Sequence, residues 1–477
     1  MFTGLKPYPE YKASGLPGIE RLPVDWSESR LRSVAQLRVS NVDKLSREGE
    51  TPVQLCNYVD VYKHEFISEY LSFMAATASL AELAAFRLRL GDVLITKDSE
   101  AWNDIGVPAL VVDEAEDFVS GYHLALLRAR QGVLEGEYLL RTLQAPAVAA
   151  QLHVAANGVT RFGLSQDDIK STTIPLPSLP EQTSIAQFLR NANDRIDRAI
   201  IAKRQMIGLV EEQKQVEIGR LACGELSNKS PMKESGFAWL GSIPANWEVV
   251  RAKNLYREVD ERSLTGLEEQ LSVSHLTGVS ARRFKSVTMF RASSYVGHKR
   301  CRPGDLVVNT MWAWMGALGV TSVEGIVSPA YAVYRPIPKE GLLPSYANLL
   351  LRTPRYTANF RARSTGIRPS RFRLYPDQFL VTQVLLPPID EQSSLANLAQ
   401  ERARDAEQAT EKCRREIELL REFRTRLTAD VVTGQLDVRE AAAKLPDLDP
   451  AALATVDVDD SDDIDAVAEE FLDGDEP

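Results

Sequence analysis

Two kinds of apolar pattern alternate along this chain. Short β-branched runs bounded by Gly, Pro, Asp and Asn, namely "GDVLIT" from Gly91, "PALVV" from Pro108 and "GDLVVN" from Gly304, predict strands. The stretches "EGEYLLRTLQAPAVAAQL" from Glu135 and "YANLLLRTPRY" from Tyr346 predict helices among them. Prolines at 175, 177 and 180, and again at 387 and 388, then stop both kinds of element. After each cluster the period changes. Ile185, Leu189, Ala192, Ile196, Ala199, Met206 and Val210 recur in steps of three and four with one position skipped. So do Ala406, Thr410, Cys413, Ile417, Leu420, Leu427 and Val431. A seam this narrow over several heptads predicts two coiled-coil helices, from about Pro180 to Cys223 and from about Asp390 to Thr433, each roughly 60 Å long.

The two halves of the chain spell one another. Lys12-Ala-Ser-Gly15 and Pro23-Val-Asp-Trp26 return as Lys233-Glu-Ser-Gly236 and Pro244-Ala-Asn-Trp247. Gly91-Asp92 returns as Gly304-Asp305, Glu181-Gln182 as Glu391-Gln392, and Gly224-Glu-Leu226 as Gly434-Gln-Leu436. A repeat of a globular part followed by a long helix fixes an α/β (α+β) architecture. Two mixed α/β domains are expected, separated by two long antiparallel coiled-coil helices, with a pseudo-two-fold axis and one globular unit at each end. The boundaries read 1–179 for a first globular domain with an N-terminal arm, 180–223 for a central spacer helix and 224–389 for a second domain. A C-terminal spacer helix follows over 390–434, then an acidic tail over 435–477. Each Glu-Gln pair stands in a first helical turn, where a carboxylate suits the positive end of the helix dipole.

Composition changes this picture in two places. The formal charge of −10 is concentrated in the tail, since Pro446 to Pro477 holds thirteen Asp and Glu and no Lys or Arg. Such a segment has too little apolar content to fold alone and reads as disordered, while the remaining chain is near neutral and can carry a local basic face. No apolar run approaches the length of a membrane span, and the opening "MFTGLKPYPEYK" lacks a signal-peptide pattern. Four scattered cysteines form no C-x-x-C pair, so a reducing, cytoplasmic setting is expected.

Catalytic patterns are scarce. The sequence has no G-x-x-x-x-G-K-[ST], no G-x-G-x-x-G and no histidine pair at metal-ligand spacing; neither Pro-Asp leads to Glu-x-Lys, and no Asn or Asp precedes Pro-Pro-aromatic. A binding protein is expected, with neither a catalytic nor a metal site. The basic residues cluster instead in "RTPRYTANFRARSTGIRPSRFR", where seven arginines and no acid are interleaved with Tyr356, Phe360 and Phe372 in what reads as a Gly/Pro-containing loop. Arginine pairs bidentately with guanine edges and clamps phosphates, and aromatic rings stack or wedge. Candidate DNA contacts there are Arg361, Arg363, Arg368, Arg371 and Arg373; a solvated basic face is the bland alternative. The corresponding "NGVTRFGL" keeps only Arg161, and "ITKDSEAWND" adds Lys97 at a strand end. In "NTMWAWMGALGV", Trp312 and Trp314 fall on one side of an extended strand; core positions are the expectation, with Trp314 the aromatic that could face a groove.

With these motifs assembled, the chain resembles the specificity subunit of type I restriction-modification systems, over all but the acidic tail. The resemblance rests on both "P-x-x-x-EQ" helix entries and both Pro-x-x-Trp openings. "GDVLITKDSEAWNDIGVPAL" with "SGYHLALLR", and "GDLVVNTMWAWMGALGV" with "VSPAYAVYRP", complete it. It implies two target recognition domains, each reading one half of a split double-stranded DNA site, with the helices setting the gap. It also implies two modification subunits that supply S-adenosylmethionine and adenine methylation. Restriction subunits that use ATP and Mg complete the assembly, and this chain binds no cofactor itself. Two other readings stay open: the recognition part of a fused methyltransferase-nuclease, and a coiled-coil scaffold whose globular ends bind protein.

Overall fold

The computed structural model describes residues 5–226, 230–284, 294–337, 341–367 and 371–445. Both long helices form, over Leu179–Ala222 and Ile389–Val432, within a residue or two of the expected bounds. The described residues fall into two compact units, 5–203 with 415–445 and 204–414. Each unit therefore holds part of each long helix.

In the first unit a mixed five-stranded sheet is ordered Ala35–Val39, Leu124–Ala129, Val93–Thr96, Pro108–Val111, Phe66–Ile67, with only the last pair parallel. The predicted strands at Gly91 and Pro108 lie in it, and Val93, Ile95, Ala125 and Leu127 face its main core. A three-stranded sheet of Phe118–Ser120, Thr51–Cys56 and Met74–Ala78 packs around its own cluster, with Val53, Leu55 and Val119 inside. The second unit has an antiparallel four-stranded sheet, ordered Tyr256–Val259, Ala332–Pro336, Leu306–Val308, Leu318–Val320.

Each predicted helical stretch splits in two. Gly136–Gln144 is followed by Pro146–Ala155, and Pro344–Leu351 by Pro354–Arg363. Proline at the first helical position explains both breaks, because it cannot continue the preceding helix but starts the next one well.

The repeated motifs prove to be joints. Asp92 and Asp305 are buried and each is clamped by an arginine from a neighbouring strand: Arg128 donates through Nε and Nη2 to Asp92 at 2.7 and 2.6 Å, Arg335 to Asp305 at 3.0 and 2.9 Å. Each carboxylate also accepts from a backbone N–H three residues upstream. The long helices end alike. Glu225 N–H bonds Arg220 O and Gln435 N–H bonds Asp430 O, the six-to-one bond of a left-handed stop, with Gly224 at φ +78° and Gly434 at φ +71°. A Cβ on Gly224 would lie 2.8 Å from Trp247, and Gly434 is pressed against Pro23 and Trp26 in the same way. The Pro-x-x-Trp openings are thus seats for helix ends, and their indoles are buried.

Within the first unit the helices run antiparallel, because Asp197 meets Arg424 and Lys203 meets Glu416. The second seam is as expected: Thr410, Cys413, Ile417, Leu427 and Val431 are buried, and the skipped position is Arg424. The first seam holds only through Ile196. Beyond it Ile200 rather than Ala199 is buried and Met206 is 49% exposed, since a straight helix drifts off a strict heptad. The composition boundary at 435 also moves. Asp437 N–H bonds Lys6 O at 2.8 Å, and Val438 and Ala442 join the first unit's core. The acidic segment from Pro446 onward lies outside the described residues.

Candidate nucleic-acid interface

In each unit one loop follows the helix begun by Pro146 or Pro354, and it closes with a short bridge, Asn157 to Gly163 or Thr365 to Arg373. Its last residue is then tied to a strand end. Leu164 N–H donates to Lys97 O at 2.9 Å, and Leu374 N–H donates to Thr310 O at 2.8 Å. Lys97 and Thr310 follow the strands Val93–Thr96 and Leu306–Val308 of the two Gly-Asp joints. The frame thus brings the same two surface elements together in both units, a post-strand loop and a post-helix loop. Their side chains differ.

In the first unit Lys97 ends its strand as expected, but its ammonium is not free: Nζ donates to Asp98 Oδ2 at 2.8 Å. The same oxygen is 2.8 Å from His123 Nδ1. Arg161 Nη2 lies 3.3 and 3.4 Å from the two ring nitrogens of His123, so Lys97 and Arg161 are brought together across Asp98 and His123. Burial works against the Asp98 charge, yet the hydrogen bonds from Lys97 and His123 hold its carboxyl below the usual carboxylate range. Tyr122 tilts against the His123 ring at 3.6 Å, and Trp102 stands half out of the surface. Sequence reasoning missed Asp98, His123 and Tyr122 as site residues. "SGYHLALLR" was visible, but nothing in spacing pairs His123 with a residue 25 positions upstream.

In the second unit three expectations change. Trp312 and Trp314 do not lie on an extended strand: Ala313–Met315 is a turn of 3₁₀-helix, and the two rings stack at 5.9 Å. Nor are they core, since both are only partly buried. Trp314 is edge-on to Phe372 at 6.0 Å and carries the Arg361 guanidinium 5.6 Å from its ring centre. The arginine segment is not one loop, because Pro354–Arg363 is helical. Its aromatics Tyr356 and Phe360 point inward, with no exposed surface; only Phe372 stays near the outer face.

The arginines divide accordingly. Arg352 donates through Nη2 to His275 O and Leu276 O, both at 2.7 Å, and Arg355 bonds Leu240 O and Glu225. Both hold the fold together. Arg363 is half-buried and bonded to Asn359 Oδ1 at 2.9 Å. Arg361, Arg371 and Arg373 are exposed, and Arg368 lies outside the described residues. Arg371 and Phe372 occupy the positions that Arg161 and Phe162 hold in the first unit's loop.

Comparison with known proteins now bears on the frame. Residues 23–204 match the model of the type I restriction modification DNA specificity domain. That stretch of the chain is similar to the family. Over 252 residues it is 25% identical to the putative type I restriction enzyme MjaX specificity subunit of Methanocaldococcus jannaschii, covering 50% of this chain and 54% of the relative. The chain thus spans about half the length of the curated relative it matches. A chain solved in a study of complex assembly and conformational transition of the type I R-M system superposes with a TM-score of 0.56 at 17% identity, over 87% of this chain and 99% of that one. The HsdS subunit from Thermoanaerobacter tengcongensis gives a TM-score of 0.48 at 17% identity, over 88% of this chain and 99% of that one. The specificity-domain match ends at 204, but the same Gly-Asp joint, helix stop and helix entry recur in the second unit. No described helix is long and apolar enough to cross a membrane.

Proposed function

We propose that this chain is the DNA-recognition subunit of a type I restriction-modification complex. It reads a bipartite double-stranded site, one half per unit, and has no active site of its own. The observation that carries this reading is one frame built twice under unlike surfaces. A Lys-Asp-His-Arg cluster with an exposed tryptophan occupies the loops of one unit, and a Trp-Trp-Phe stack rimmed by three exposed arginines occupies those of the other. Two readers of different sequences need that combination, because the frame fixes position while the side chains at base edges choose the bases. Two modification subunits would bind S-adenosylmethionine and methylate adenine. Restriction subunits would use ATP and Mg, in the cytoplasm, and this chain would bind no cofactor. Mapping methylated adenines genome-wide, with and without an intact copy of this chain, tests the reading. Loss of methylation at one split motif supports it, and an unchanged methylome overturns it.

A further inference from the structure

The first unit's surface holds a device that its counterpart lacks. Asp98 is partly sheltered and accepts from Lys97 Nζ and His123 Nδ1 through the same oxygen. Arg161 Nη2 lies 3.3 Å from Nδ1 and 3.4 Å from Nε2, so the guanidinium rests against the imidazole that Asp98 holds through Nδ1. Arg161 is itself exposed, on a loop fixed at its ends by the bridge of Asn157 to Gly163. The Lys97 charge is largely spent on Asp98, so Arg161 is the cation of this cluster that remains directed at solvent.

We propose that Asp98 and His123 are positioning residues that hold Arg161 in the geometry for reading one position of the first half-site. The inference rests on the DNA-recognition reading above and deepens it. Asp98 fixes the tautomer and ring plane, the ring seats the guanidinium, and the guanidinium makes the contact. A long exposed arginine otherwise surrenders rotamer entropy on binding, and a prepared seat reduces that loss. The groups facing the imidazole are Asp98, Arg161 and Tyr122, with Lys97 behind Asp98. The second unit seats Arg361 on Trp314 instead.

The test uses the full-length chain purified with the subunits that accompany it from its own cells, and a pool of randomised double-stranded oligonucleotides. Wild type should select a split consensus. R161A, H123A and D98N should each lower discrimination roughly tenfold at the same single position of the first half, leaving the second half unchanged. H123A combined with R161A should lose no more than R161A alone. H123Q should keep more of that discrimination than H123A, because a carboxamide can still donate to Asp98 and accept from the guanidinium. A split consensus that R161A and H123A leave intact, or an H123Q that loses as much as H123A, overturns this inference alone. Failure of wild type to select any split consensus overturns the DNA-recognition reading, and the inference with it.

Discussion

Gln392 accepts a hydrogen bond from the backbone N–H of Leu343 at 2.8 Å, and by that bond the start of the second long helix is fastened to the second unit. Its Nε2 donates to Gly341 O and to Pro387 O, both at 2.9 Å. Gln182 repeats the arrangement at the first helix, accepting from Glu135 N–H at 2.9 Å and donating to Val133 O and Pro177 O. Both amides are buried. Replacing either by Ala strands a backbone N–H and two carbonyls, and should cost about 1–3 kcal/mol. Replacing it by Glu should cost more, because a carboxylate would face two carbonyl oxygens. Denaturant unfolding followed in each unit separately measures both effects.

The sequence pattern showed these Glu-Gln pairs but put the weight on the wrong partner. The helix-dipole argument favours the glutamate, yet Glu181 accepts from Tyr8 OH and Glu391 from Asn246, side chains rather than the backbone of the loop that each helix start must close. Repetition at a fixed offset is legible because both copies must make the same joint. What that joint is depends on which backbone groups a loop 49 residues upstream leaves open. The arginines fail for a related reason. A charge run does not reveal that Arg352 turns inward to cap two carbonyls while Arg371 stays out, because the His275 and Leu276 carbonyls come from a distant strand end. The Thr-Pro pair at 353–354 was a readable helix start.

That division predicts how the cluster responds to mutation. R361A, R371A and R373A together should weaken second-half-site recognition by several kcal/mol, at roughly 1–3 per base-edge contact, and leave the first half-site preference intact. The folded variant should also show a shallower dependence of affinity on salt, as fewer phosphates are neutralised. R352A should instead lower the melting temperature of the second unit with little direct effect on base preference. A protein-binding scaffold would show neither the salt slope nor the half-site loss.

Asp197 makes a pH prediction with an unusual sign. Burial pushes its carboxyl up to about 6, against the pull of Arg424. An acid whose folded pKa exceeds its unfolded value binds protons more tightly when folded. Its penalty is therefore present at neutral pH, and is relieved as pH falls through about 6. Between about pH 7.5 and pH 5 the first unit of wild type should gain about 1 kcal/mol relative to D197N. Parallel melts of the two proteins give that difference directly, and equal pH dependence would contradict it.

The C-terminal strap separates two truncations. Deleting Pro446 to Pro477 should leave folding and site choice intact, because an acidic segment with so little apolar content supplies no core and repels phosphate. Deleting from Gly434 removes the Gly434 seat against Trp26, the Asp437 bond to Lys6 and the buried Val438 and Ala442. That shorter chain should lose stability in the first unit by several kcal/mol, the order expected for losing buried apolar side chains. The second unit should melt as before. Calorimetry of the two truncations distinguishes a packed strap from an inert tail.

The long helices supply the last prediction. Each passes from one unit into the other, so added length should increase the gap between half-sites if the helices set it. Seven residues add about 10 Å, near three base pairs at roughly 3.4 Å each, and keep the heptad face in place. Four residues add about 6 Å but rotate the seam as a stutter does. The skipped seam positions show why phase matters. Arg424 meets Asp197 and Lys203 meets Glu416, so a rotated helix would bury unpaired charge. Matched heptad insertions near Ala199 and Cys413 should leave both half-site sequences unchanged and lengthen the gap, whereas four-residue insertions should destabilise the chain. Mapping methylated sites in cells carrying the lengthened chain with its partners reads out both. An unchanged gap at full activity would mean that something other than these helices spaces the readers. New half-sites at the old gap would refute the modular arrangement itself.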